Sequence, residues 1–131
     1  MNQNTPVRCD MRAAPDTPSE RSAEYRRLFE TAVWGRDRTE RMVRFRFRLS
    51  TIDQDQVRSL AAREQACCPF FHIHLSTVHD ELWWETSVDD IPDTVAMLEE
   101  FGRLPDHHAE AGATAADLIQ RGLLNASPNR R

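Results

Sequence analysis

Val43-Arg44-Phe45-Arg46-Phe47-Arg48-Leu49 alternates apolar and basic side chains without a break. A strand sends successive side chains to opposite faces, so this stretch fits a half-buried strand and no helix. Val43, Phe45, Phe47 and Leu49 then face a core, and Arg44, Arg46 and Arg48 face away from it. Downstream, Phe71-His72-Ile73-His74-Leu75 repeats the pattern with Phe71, Ile73 and Leu75 inward. His79-Asp80-Glu81 reads as a turn, and Leu82 to Val88 as a third strand that closes a hairpin with the second.

Helical spacing fills the intervals. From about Asp53 to Cys67, Val57, Leu60, Ala61, Glu64 and Cys68 share one stripe with Cys67 at its edge, and Asp53 with Gln56 offers a capping pair. Asp90-Ile91-Pro92-Asp93 starts a further helix whose core side is Val95, Leu98 and Phe101, and Gly102 and Pro105 end it. Upstream, Thr17-Pro18-Ser19-Glu20 has the form of a capping box with proline in the first turn. Tyr25, Leu28, Phe29, Ala32 and Val33 follow as an apolar stripe, and Gly35 is expected to end that helix.

The predicted fold is therefore α+β. It has a three-stranded antiparallel sheet with strands near 42–49, 70–78 and 82–88, and helices near 53–67 and 91–101 on one face. This order, β-α-β-β-α, is ferredoxin-like without the last strand, preceded by an N-terminal helix. Residues 1–16 read as a flexible arm and 17–104 as a single α+β domain. Residues 105–131 read as a polar loop, a short helix over Thr114 to Leu124, and a tail frayed from Asn125. The other sheet face would show Arg44, Arg46, Arg48, His72, His74, Trp83 and Glu85. Uncovered sheet edges and this mixed face lead to the expectation of a homodimer.

Composition bounds the function. At 131 residues, 40% hydrophobic and 29% charged, the chain suits one globular domain. No apolar run spans a bilayer and no signal-peptide stretch opens the chain, so a cytoplasmic setting without a membrane partner is the default. Residues 1–48 carry 11 Arg against 7 Asp+Glu (+4), and residues 49–131 carry 6 against 14 (−8), which together give the net −4. That balance argues against broad nucleic-acid binding. Three cysteines, an odd number, argue against a disulfide framework and for free thiols or metal ligands.

The chemistry concentrates in Glu64-Gln65-Ala66-Cys67-Cys68-Pro69-Phe70. Adjacent thiols at a proline-stopped helix end can share one soft ion, with Hg(II), As(III), Cu(I) and Zn(II) as candidates. Cys9, or else His72 or His74, would add a ligand. Glu64 lies three and four positions before the cysteines, on their helix face. A carboxylate on an apolar stripe needs a partner, so Glu64 accepts a thiol proton, ligates a metal or pairs with an arginine. The competing account treats the cysteines as small buried hydrophobes. The arginine row reads as paired with acids such as Glu85 and Asp89 across strands, or else as an anion or nucleotide surface beside tryptophan. His107 and His108 fall in the polar loop with no assigned role.

These residues carry a resemblance. The chain resembles a group of small bacterial proteins with an early Cys, an amphipathic helix, a strand, then Glu-x-x-Cys-Cys-Pro/Ser-Phe and a hairpin. Cys9, Glu64, Cys67, Cys68, Pro69 and Phe70 match over about residues 9–101. Such sequences are associated with metal-responsive regulators of the mercury-resistance type, which implies a thiophilic ion. His72 and His74 lie outside that pattern. The leading expectation is a metal- or metalloid-binding protein using Cys67 and Cys68, with Cys9 as third ligand. One alternative is a non-enzymatic interaction or regulatory domain, with a regulatory protein partner and structural cysteines. Another is a thiol-dependent enzyme with Glu64 or a histidine as base. Redox work ranks below metal binding, because the chain lacks Cys-x-x-Cys.

Overall fold

The computed structural model describes residues 9–106 and 124–125. The alternating segment forms a strand, β3 (Met42–Arg48). Before it come β1 (Cys9–Asp10), a 3-10 turn at Met11–Ala13, α1 (Pro18–Thr31) and β2 (Trp34–Arg38). After it come a 3-10 turn at Leu49–Thr51, α2 (Gln54–Cys67), β4 (His72–Val78), β5 (Glu81–Ser87), α3 (Pro92–Gly102) and β6 (Leu124–Asn125). The fold is α+β, built on one antiparallel sheet in the order β2-β3-β5-β4.

The sheet has four strands where the sequence predicts three. The extra strand, β2, fills the slot beside β3 that the β-α-β-β-α reading leaves open. It shows no apolar alternation, because Trp34-Gly35-Arg36-Asp37-Arg38 is an edge strand dressed in charge. Gly35 does not end α1, which stops at Thr31, and it pairs instead with Arg46. A Cβ there would come 2.5 Å from Arg46 Nη2, so the bare backbone lets that guanidinium lie across the strand. Val33, placed on the α1 stripe by its spacing, lies past the helix end and is exposed.

The chain also does not open on the helix. Cys9 and Met11 are buried, so the part of the expected arm that is described is packed onto the domain. β1 pairs in parallel with β6, matching Cys9 to Leu124 and Asp10 to Asn125. Leu124 and Asn125 are thus strand, not helix end and frayed tail. The rest of the helix expected over 114–124 lies outside the described residues.

Phe45, Phe47, Leu82 and Trp84 face the helices with at most 1% exposure. Tyr25 and Phe29 of α1 and Phe101 of α3 meet them, with Phe29–Phe45 centroids 5.0 Å apart and Phe101–Trp84 6.0 Å. Ile73 and Leu75 are only half-buried, because β4 is an edge. On the opposite face the arginine row is paired. Arg44 reaches Glu85 (2.9 Å) and Asp37 (3.2 Å) and lies 4.3 Å over the Trp83 ring, and Arg46 holds Asp37 at 2.8 Å. The dimer expectation started from two open edges and one bare face. β2 takes the slot beside β3 but is itself an edge, so β2 and β4 are the edges of the sheet, and ion pairs dress the face. Among the described residues, no helix is long and apolar enough to cross a membrane.

Candidate functional site

The last turn of α2 sets the site. Glu64 O accepts from Cys68 N at 2.9 Å, and Pro69 has no N–H with which to continue. Cys68 has already left helical geometry, with φ −125° and ψ 75°. Consecutive side chains therefore diverge. Gln65 pins this exit, since its Oε1 accepts from Ile73 N at 2.9 Å and its Nε2 donates to Phe71 O at 2.6 Å. The Cys-Cys-Pro-Phe loop is thereby fastened to the start of β4.

Cys67 and Cys68 meet different neighbours. Cys68 forms a disulfide with Cys9, with Cα atoms 4.4 Å apart, and Cys67 is a free thiol, 1% exposed. This corrects two expectations: that the adjacent pair acts together, and that an odd cysteine count leaves the thiols unlinked. The physical reason is the fold-back of residues 9–16 over the end of α2. That carries Cys9 to Cys68, whose side chain the helix exit separates from that of Cys67.

Glu64 finds its partner in α1. Its Oε1 accepts from Arg21 Nη1 at 3.0 Å and from the Tyr25 hydroxyl at 2.9 Å. Arg21 also clamps Asp16, through Nε at 2.6 Å and Nη2 at 2.9 Å, and its Nη2 comes 3.7 Å from Cys67 Sγ. Arg63 of α2 joins Asp16 (3.0 Å) to Glu24 (2.9 and 2.8 Å). Three carboxylates thus face two guanidinium groups, an excess of one negative charge when all are ionised.

Glu64 Oε2 is left facing Cys68 Sγ at 3.3 Å. A disulfide sulfur carries no proton, so this contact becomes an S–H···O hydrogen bond only when the disulfide is reduced.

The surroundings shift several groups. Burial drives the Tyr25 hydroxyl far above its ordinary range, and the Glu64 charge adds to the effect. Burial likewise pushes the Cys67 thiol up, against the opposing pull of Arg21. Burial works against the Arg21 charge, yet Asp16 and Glu64 outweigh it and hold the guanidinium above its usual value. Asp16 is pulled below the ordinary carboxylate range, because Arg21 overcomes the cost of burial. Glu24 is lowered by its Arg63 hydrogen bond.

Cys9, Glu64 and Cys68 each offer one ligand atom, all within 4.8 Å of one another and all buried. Two soft sulfurs and one oxygen suit a soft or borderline ion once the sulfurs are thiolates. Cys67 stands outside this group. His72 and His74 do not join it, since they project from β4 on the sheet face away from the helices, and His72 pairs with Asp89 at 3.3 Å. His107 and His108 lie outside the described residues. Sequence reasoning missed Arg21, Tyr25, Asp16 and Arg63. The signal for the first was present: Arg21, Tyr25 and Phe29 are spaced by four on the buried side of α1, as Glu64 is on that of α2.

Comparison with protein-family models, with curated proteins and with solved structures gives no match. The chemistry of the site itself carries the reading.

Proposed function

We propose that the reduced protein binds a thiophilic metal or metalloid ion, of the Hg(II), As(III), Cu(I) or Zn(II) class, through Cys9 and Cys68 with Glu64 beside them. The observation that supports this is the convergence of two sulfurs and one carboxylate within 4.8 Å of one another, all buried. Binding replaces thiol protons, and Glu64 Oε2 is placed to accept one from Cys68. Arg21 and Tyr25 hold Glu64 in that orientation. The resemblance of residues 9–101 to small bacterial proteins associated with mercury-resistance-type regulators points the same way. Cys67 has a different role in this reading from the one its adjacency suggests, since it packs against Arg21 and not into the ligand group.

Titration of the full chain with As(III) in a non-thiol reductant tests the proposal. The parent and Cys67→Ser should bind one equivalent, and Cys9→Ser, Cys68→Ser together should bind none. If that double variant binds as the parent does, the site lies elsewhere.

A second reading has its own support. The Cys9–Cys68 link already exists and all three sulfurs are buried, which fits an interaction domain stapled by a disulfide. An absence of binding by the reduced parent favours that account. For the thiol-enzyme alternative, the support is weaker. A nucleophile works as thiolate, and the burial that raises Cys67 opposes it.

A further inference from the structure

We infer that the Cys9–Cys68 disulfide is a redox gate on this ion site, an inference that rests on the ion-binding proposal above. The two sulfurs joined in the disulfide are the two sulfurs of the candidate ligand group. One pair of atoms cannot serve both purposes, so the oxidised chain withholds both soft ligands and leaves Cys67 as its free thiol.

The same bond latches a cover. Residues 9–16 run from the disulfide over the end of α2 to Asp16. That far end is held strongly, because Asp16 is bound by both Arg21 and Arg63. The near end carries the disulfide, the buried Met11 and a two-residue parallel pairing with β6. Cutting the covalent link leaves that end on noncovalent contacts, so the strap opens there. Cys68 is 0% exposed and Cys9 4%, so an entering ion needs that opening. Reduction therefore frees the ligands and unlatches their cover in a single step.

The chemistry balances with a low-molecular-weight thiol as reductant. Two thiol molecules deliver two electrons, and the Cys9–Cys68 S–S bond breaks. Each protein sulfur takes one proton, and the two small thiols leave joined as their own disulfide. The freed Cys68 S–H then has an acceptor already in place in Glu64 Oε2, 3.3 Å away. Oxidation by a small disulfide runs the same steps backwards and closes the strap.

The test uses the full chain and its Cys67→Ser variant, each prepared oxidised and reduced. Free thiols are counted under both conditions, and binding of phenylarsine oxide, which requires two thiols, is read by intact mass. Two thiols should appear on reduction of either protein. One phenylarsenic adduct should form on the reduced chain and none on the oxidised chain. Backbone amide exchange at residues 9–16 should rise on reduction, while exchange in α3 stays unchanged. Equal binding by oxidised and reduced protein would show that binding does not use Cys9 and Cys68, and overturns the ion site and the gate together. A failure of the small disulfide to remove two thiols from a reduced chain that does bind overturns the gate alone and leaves the ion site standing. Absence of an adduct in both states, with the expected thiol counts, overturns the ion site and the gate with it.

Discussion

Replacing Glu64 by leucine removes the acceptor that ties α1 to the end of α2. Two consequences can be sized. The Tyr25 hydroxyl, buried and bonded to Glu64 at 2.9 Å, is left without that acceptor, which costs about 1–3 kcal/mol. Arg21 loses one of two carboxylate partners. Breaking a buried ion pair outright costs about 3–5 kcal/mol, but the Asp16 clamp stays, so roughly 1–2 kcal/mol is the appropriate share. The sum is about 2–5 kcal/mol of lost stability.

Urea unfolding of the oxidised proteins measures this, with thiol counts confirming that the disulfide is the same in all variants. Tyr25→Phe supplies the control. It should cost about 1 kcal/mol in the parent and stabilise by about 1–3 kcal/mol in the Glu64→Leu background, where the hydroxyl has lost this acceptor, a coupling of about 2–4 kcal/mol. A loss below about 1 kcal/mol for Glu64→Leu, or an equal cost of Tyr25→Phe in both backgrounds, would show that the contacts at Glu64 do not stabilise the fold.

Other expectations follow from the same structure. Asp16 and Glu24 hold protons less readily folded than unfolded, so their stabilisation is full above the ordinary carboxylate range and is lost as pH falls from that range through their lowered values; Asp16→Asn should flatten part of that acid slope in urea midpoints. Cys67 and Tyr25 are shifted upward, so the unfolded chain ionises first and stability falls as pH rises past the ordinary thiol range; Cys67→Ala should reduce the early part of that loss. Cys9→Ser should lower unfolding stability by about 4 kcal/mol under oxidising conditions, the loop-closure value for a separation of 59 residues, and should change nothing comparable once both proteins are reduced. Gly102→Ala should cost about 1–2 kcal/mol because its Cβ meets the fixed Val43 side chain at 3.1 Å, whereas Gly35→Ala should cost less although its nominal contact is closer, because the Arg46 guanidinium can swing away; comparison of the two unfolding midpoints decides this.

Much of this architecture is written in local pattern. The alternation around Phe45 and the helix start at Thr17 to Glu20 each depend on neighbours a few residues away, and both features are present in the fold. β2 is not readable in that way. Its residues carry no alternation because an edge strand with Arg36 and Asp37 takes its partners from β3, from the segment after α3 and from solvent. The site divides along the same line. Glu64 on an apolar stripe announces that it needs a partner, and Arg21 on the stripe of α1 announces the same need with opposite sign. Matching the two would have placed α1 against α2. The Cys9–Cys68 link is not legible, because it depends on two remote facts. One is the exit angle at Cys68, and the other is the path of residues 9–16.

The divergence of Cys67 and Cys68 means that two identical neighbours in the chain carry unrelated histories of constraint. Position 68 is bound to position 9, so the two cysteines should be gained and lost together across divergent sequences. Position 67 answers to Arg21 and to the space it fills in the core, and should drift to small residues without regard to position 9. A count of co-occurring cysteines would therefore separate the adjacent pair and join the distant one.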